Sequence, residues 1–473
     1  MYLVLHALVV VFCAYEVFRA LANSRGQAPR IAMFASLGIV HGLVPILTPR
    51  ALMWGMASDA SVTLAALAAL LGIVMFSVGW RIYERSRPDW AGLSPGLQAL
   101  LDSATGQRLL RRFFWVSMAV SVGAWLVNMI VVAGSVAAAF EAARFEHRVG
   151  PYMYFNAIMM HIIHLMIIPG FLGFFLPRRY RLIGIVFTLL MAGLILIQTK
   201  GGRGFPMGMM GALVLAYALR HRLTAYRFGL LAAGAAVVFM LAIAMYEVRK
   251  VMARASLGEM ADMVLSAQTY QGALTRDPLS YHQMLVAAVE HFPRDHDFLN
   301  GATYGRLLVF YLPRKHFAWI KPPDTHNTFA RVILHDPATL TTIMPTIMGD
   351  GYINFWGLPG VVIIMVLNGM LFAFAVRRMR ENVLWFLVVG PAFAWFALMA
   401  VRGSPYEILT VGMSRIAFVW LLGIVCMFAY RPANLWVRQF NRNVLAAYGS
   451  LARQVDQVRG AARPPAFPGR STP

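Results

Sequence analysis

Charged residues are scarce in this chain, at 13% of 473 residues. That is about half of what a water-facing surface carries, which excludes a soluble domain and a disordered polymer alike. Cysteine is nearly absent: Cys13 and Cys426 lie in apolar runs at opposite ends of the chain, so a disulfide framework or a zinc site has no support. Glycine stands at 39, too few for a collagenous repeat. Acidic residues are also short, 20 against 42 Lys and Arg, for a formal net charge of +22. What abounds is hydrophobic residues, at 59%, and the class that fits is a polytopic membrane protein. The many methionines (29) are lipid-compatible filling.

A helix needs about 20 apolar residues to cross the hydrocarbon core, because its backbone must be satisfied internally. Eleven stretches meet this criterion, centred at 2–20, 31–48, 61–80, 113–133, 151–176, 181–198, 205–219, 228–246, 357–376, 383–401 and 411–430. The first lacks the basic start and small-residue cleavage site of a signal peptide, so it is expected to remain as a span. The expected fold is an all-α integral membrane bundle. Residues 1–247 hold spans 1–8, 248–345 form one large outer loop, 346–430 hold spans 9–11, and 431–473 form a basic, partly disordered tail. Basic residues alternate between connections. One set carries Arg19, Arg25 and Arg30; Arg81 to Arg112; Arg178, Arg179 and Arg181; Arg220, Arg222 and Arg227; Arg377, Arg378 and Arg380; and seven arginines of the tail. The positive-inside rule makes this set cytoplasmic, with the N-terminus outside and the C-terminus inside. It accounts for 25 of the 42 cations and only five of the 20 acids, so nearly all the excess is a topology signal and nucleic acid is not an expected partner.

The chemistry should rest on polar residues that topology alone does not explain. The turn Thr199-Lys200-Gly-Gly-Arg203-Gly204 combines three glycines with two cations and suits a phosphate or diphosphate; a tight hairpin with snorkelling cations is the alternative. The outer loop has mixed charge, ten Lys/Arg and eight Asp/Glu, and semi-apolar stretches such as Tyr304–Arg314 that read as interfacial elements. Its run from Leu312 to Phe329 concentrates Arg314, Lys321, Asp324 and His326 around rigid prolines. Next comes Ile347-Met-Gly-Asp350-Gly-Tyr352-Ile-Asn354-Phe-Trp-Gly-Leu-Pro-Gly360, where Asp350 and Asn354, four apart, share a helical face with Tyr352 offset. Arg402 and Arg415 follow on the same expected side, and an arginine inside a span is costly enough to count as functional, with Glu407 or Asp350 equally available as its structural partner. His161, His164, His41 and Glu16 read instead as hydrogen-bonded core groups.

Gly349-Asp-Gly-Tyr-Ile-Asn-Phe-Trp-Gly-Leu-Pro-Gly360 resembles the G-E-x-Y-x-N-F-G-x-x-G start of a late span in the Wzy-type O-antigen and oligosaccharide repeat-unit polymerases. Leu312-Pro-Arg314 with Trp319-Ile-Lys321-Pro322 is similar to that family's P-R-x-x-W-P-x-K-P loop pattern, and Lys200-Gly-Gly-Arg203-Gly to its S-x-R-G turn. Asp350 stands where Glu is commoner, Trp356 precedes Gly357, and Ile320 replaces a proline. The ordered landmarks cover roughly residues 195–375. The resemblance implies a GT-C-like, metal-independent glycosyltransferase without cofactor in a bacterial inner membrane. It would move a growing glycan from undecaprenyl diphosphate to a new lipid-linked repeat unit on the outer face. Lys200, Arg203, Arg314, Arg402 and Arg415 would meet the diphosphate, Lys321 sugar or diphosphate, and Tyr352 substrate. His326 would be the base at the attacking hydroxyl, with Asp324 and Asp350 as alternatives. Partners would be lipid-linked oligosaccharides and membrane lipids, with a chain-length regulator and a flippase to be tested. A ligase that moves finished glycan is the alternative within enzymes, because His326-Asn327 matches its loop pair. A lipid-linked-sugar transporter is the alternative from another class, though the chain lacks the paired half-repeats expected of one.

Overall fold

The computed structural model describes residues 1–22, 28–47, 57–85, 93–141, 153–198, 204–221, 226–231, 281–309, 319–322, 325–336, 343–402 and 421–423, with a few isolated positions besides. Among the described residues every regular element is helical. Six helices are long and apolar enough to cross a membrane: Tyr2–Ala22, Pro29–Leu47, Asp59–Glu84, Ala104–Ala133, Arg178–Gln198 and Leu358–Glu381. Three shorter apolar helices, Ile158–Gly173, Phe205–Arg220 and Val383–Phe393, fall where the fifth, seventh and tenth spans are expected. The expected count of eleven is not confirmed among the described residues, and the stretches 228–246 and 411–430 lie mostly outside them.

In chain order, α1 (Tyr2–Ala22) precedes α2 (Ala28–Gly38), which loosens into a π-turn at Ile39–Leu43 and ends at Val44–Leu47. Then come α3 (Asp59–Arg85), α4 (Pro95–Asp102), α5 (Ala104–Ala133) and α6 (Val136–Glu141). The fifth expected span is broken into α7 (Met153–Ile163) and α8 (Ile167–Gly173) by a 3-10 turn at His164–Met166. There His164 Nδ1 bonds back to the Met160 carbonyl and its ring sits 4.3 Å from that of Phe205, so this histidine is a core group as expected. α9 (Arg178–Gln198) and α10 (Gly204–Arg220) follow. Four short helices, α11 (Tyr281–His291), α12 (Ala302–Val309), α13 (Thr325–Leu334) and α14 (Thr346–Asn354), lead to α15 (Leu358–Glu381) and α16 (Val383–Arg402). Serine caps set two starts: Ser94 accepts from Leu97 N at 3.2 Å and Ser103 from Gly106 N at 3.0 Å. The second cap starts α5 well before residue 113, where its apolar run alone would begin it.

The closest helix pair is α3 with α15, which run parallel: Gly72 faces Val361, Gly79 faces Val366 and Tyr83 faces Phe374. Their backbones touch through glycine. A Cβ on Gly79 would stand 2.1 Å from the Val366 carbonyl oxygen, and one on Gly369 2.2 Å from that of Phe76. Small residues at such contacts let apolar helices pack where lipid offers no hydrophobic drive.

The bundle has two chemically different ends. At one end, the carboxylate of Glu16 accepts from Arg30 (2.6 Å), Ser77 (2.8 Å) and Arg81, while Arg30 also meets Glu84 at 3.0 Å. Glu16 and Arg30 are buried, so the core role expected for Glu16 takes the form of an ion cluster tying α1, α2 and α3 together. A chain of contacts links the other basic ends to it. Tyr83 meets Phe374 at the end of α15, Ser94 N bonds to the Arg380 carbonyl (2.9 Å), Gln107 bonds to the Phe175 carbonyl (3.0 Å), and Asp102 faces Arg220 (3.6 Å). The described arginines of the expected cytoplasmic set thus gather at a single end. The opposite end carries α11 to α14. There Ser58, ahead of α3, donates its N–H and hydroxyl to Glu290 of α11, each at 3.1 Å.

Candidate functional site

The glycine-rich segment 349–360 folds as the sequence pattern requires. All nine residues of α14 are buried, and Asn354 Nδ2 donates back to the Asp350 carbonyl (3.0 Å) and carboxyl (3.4 Å), one helical turn away. The helix then stops. Trp356 and Gly357 take positive φ (59° and 80°), and Gly357 N bonds to the Tyr352 carbonyl at 3.0 Å, a reversal that glycine makes without strain. The turn folds α15 back on α14 so closely that a Cβ on Gly360 would lie 2.1 Å from the Gly351 carbonyl oxygen.

Segment 299–304 of the outer loop is stitched to this turn. Leu299 N and Gly301 N bond to the carbonyls of Ile353 and Asn354 (both 2.8 Å), and Trp356 Nε1 donates to Asn300 Oδ1 (2.7 Å). Thr303 donates its hydroxyl to Asn354 Oδ1 (2.7 Å), and Tyr304 donates to Asp350 Oδ2 (2.5 Å). Thr325, the first residue of α13, is buried close enough to the same carboxyl to pull on its proton affinity. His326 is therefore next in the chain to a group touching Asp350, and it is buried, with its carbonyl accepting from Ile343 N at 3.3 Å. Arg306 of α12 reaches the Pro322 carbonyl (3.3 Å), drawing the half-buried Lys321 segment toward the same elements.

Burial dominates the electrostatics here. It pushes the Asp350 carboxyl up to about 7 against the opposing pull of Tyr304 and Thr325. The Tyr304 phenol is driven well above its usual range by burial first and then by the Asp350 charge, and burial alone raises Tyr352. A carboxyl poised near neutrality has the right affinity for proton transfer. Asp350 is nevertheless fully enclosed, so in this conformation it acts on Tyr304 and Asn354 and not on a ligand.

Of the expected site residues, Asp350, Tyr352, His326 and Lys321 are described with their side chains, and the first three share one neighbourhood of buried groups. Arg402 ends α16, with its helix position alone described. Asp324, Lys200, Arg203, Arg314 and Arg415 lie outside the described residues. The sequence expectation missed Thr303 and Tyr304 as members of the Asp350 network. Tyr304 was visible only as the start of a semi-apolar stretch, whose N-terminal part folds as α12.

A second buried cluster sits nearby. His6, His41 and His282 come from α1, the π-turn of α2 and α11, with His41 Nδ1 3.1 Å from His282 Nδ1 and His6 Nδ1 2.8 Å from the His41 carbonyl. His41 is thus a hydrogen-bonded core group as expected. Burial first, and then the neighbouring imidazoles, holds His282 well below the ordinary histidine range. Among the described residues no three His, Cys, Asp or Glu are placed as a metal-ligand set. Comparisons with protein-family models, curated proteins and solved structures find no match to this chain.

Proposed function

We propose that the chain is a membrane glycosyltransferase that polymerises undecaprenyl-diphosphate-linked oligosaccharide repeat units into surface polysaccharide, on the outer face of a bacterial inner membrane. The observation that carries this reading is the meeting of two sequence landmarks. Loop residues 299–304 and the start of α13 meet the 349–360 turn, apart in sequence: Tyr304 bonds Asp350, Thr303 bonds Asn354, and Thr325 stands close to the Asp350 carboxyl. They do so at the bundle end opposite the arginines, the outer end by the positive-inside rule. In this reading Arg220 and His282 lie on opposite sides of the membrane, and the chain is proposed to cross eleven times.

A glycosyl diphosphate already carries its leaving group, so cations must meet the charge that develops on it. In this reading Lys200, Arg203, Arg314, Arg402 and Arg415 supply that charge, Lys321 and Tyr352 hold substrate, and His326 takes the proton from the attacking hydroxyl. Asp324 remains an alternative base. Asp350 serves as a positioning residue, fixing Tyr304 and the start of α13 and hence the backbone that carries His326.

The test is made in a deletion strain complemented with variants. His326→Ala should leave single repeats on the acceptor, seen as loss of the long-chain ladder on a gel while the protein still accumulates in the membrane. A normal ladder would overturn the role of His326. Accumulation of lipid-linked polymer in the deletion strain would replace polymerase with ligase, and substrate retained on the cytoplasmic leaflet would indicate a transporter.

A further inference from the structure

Toward the end opposite the arginines, α5, α7 and α9 hold a group of amides inside the bundle. On α5, Trp125 and Asn128 stand three apart and share a helical face, about 12 and 8 Å below the helix end at Ala133. Trp125 Nε1 donates to Oε1 of Gln198, the last residue of α9 (2.7 Å), and Asn128 Nδ2 donates to Oδ1 of Asn156 in the first turn of α7 (3.0 Å). Asn128 is 7% exposed, yet its carbonyl Oδ1 is buried with no hydrogen-bond partner among the described residues. Gln198, half-buried, spends its carbonyl on Trp125 and keeps its NH2 for another acceptor.

A carbonyl inside a span without a donor is costly, because lipid has no hydrogen to give it. The unused groups here are one acceptor and one donor, on the same face of α5 and about one helical turn apart. A hydroxyl suits both, since it donates to a carbonyl and accepts from an N–H. An anion suits only one of them, for the Asn128 carbonyl repels it and all three amides are uncharged. A ligand with several hydroxyls close together is a sugar. We propose that Asn128, Asn156 and Gln198 form a subsite that holds a sugar of the lipid-linked substrate by its hydroxyls. The subsite rests on the glycosyl-transfer reading, which puts the diphosphate on the turn directly after Gln198; a sugar joined to that diphosphate would lie beside these amides.

The full-length protein in neutral detergent is titrated with undecaprenyl diphosphate and, separately, with lipid-linked repeat units extracted from the deletion strain. Retained lipid in native mass spectrometry gives the two affinities, and thermal unfolding reports the fold. Asn128→Leu and Gln198→Met should each weaken the sugar-bearing lipid about fivefold and bind undecaprenyl diphosphate as the parent does. Thr188→Val is the control: it lies ten residues before Gln198 on α9, its buried hydroxyl also lacks a partner among the described residues, and both affinities should stay at the parent's. Should Asn128→Leu fail to fold, Gln198→Met, at the half-buried end of α9, carries the test. Unchanged affinity for the sugar-bearing lipid, equal weakening toward both lipids, or equal weakening by Thr188→Val would overturn the subsite and leave the amides as contacts between spans, with the glycosyl-transfer reading intact. A parent that binds neither lipid would overturn that reading and the subsite with it.

Discussion

Asp350 should make the stability of the whole protein depend on pH in a direction opposite to the usual carboxylate. Its folded-state pKa is raised to about 7 by burial, whereas an unfolded aspartate titrates near 3.9. Between these values the native chain keeps a proton that the unfolded chain has lost, so stability falls as pH rises through the window and levels off above it. Across the full window the loss is about 4 kcal/mol, and between pH 5 and 7 it is about 2 kcal/mol. Asp350→Asn removes the titration while keeping the geometry: the amide oxygen still accepts from Tyr304 and the shape is that of the protonated acid. Thermal unfolding of both proteins in neutral detergent, followed by tryptophan fluorescence from pH 5 to 8, isolates the effect as a difference. The parent should lose ground to Asp350→Asn steadily up to about pH 7 and then run parallel to it. Parallel curves from the start would refute the buried, protonatable carboxyl and with it the argument from burial.

Tyr304→Phe removes the main opposing hydrogen bond and should move the end of this window to higher pH, at a cost of about 1.5–3 kcal/mol where Asp350 is ionised; the same pH series reads it. Gly79→Ala drives a methyl into the Val366 carbonyl and should cost about 3 kcal/mol or more, seen as lost membrane accumulation, whereas Gly123→Ala meets open space and should be silent. Glu16→Gln leaves Arg30 buried beside a neutral amide and should destabilise by about 3 kcal/mol; Arg108→Gln, at an exposed position of α5, should not, and equal midpoints for the two would remove the ion cluster from the argument.

Much of the helical plan was legible because apolar run length is a local property. The expected stretches 2–20, 61–80, 181–198, 357–376 and 383–401 match helices within a few residues. The break at His164 was not legible, since it depends on a side chain bonding back to the Met160 carbonyl and packing on Phe205. Likewise Asp350 and Asn354, four apart, announced a shared face, whereas their partners Thr303 and Tyr304 lie about fifty residues away in a loop of ordinary composition.

By itself, then, the sequence determined that this chain lives in a membrane, roughly where its apolar helices run, and which connections share a charge sign. These follow from hydropathy and charge, which each residue carries wherever it sits. Only the tertiary structure decided which buried polar groups meet: Glu16 with Arg30 and Arg81, His41 with His6 and His282, Asp350 with Tyr304. A polar group inside a bundle must find its partner across helices, and that partner is set by packing and not by position in the chain.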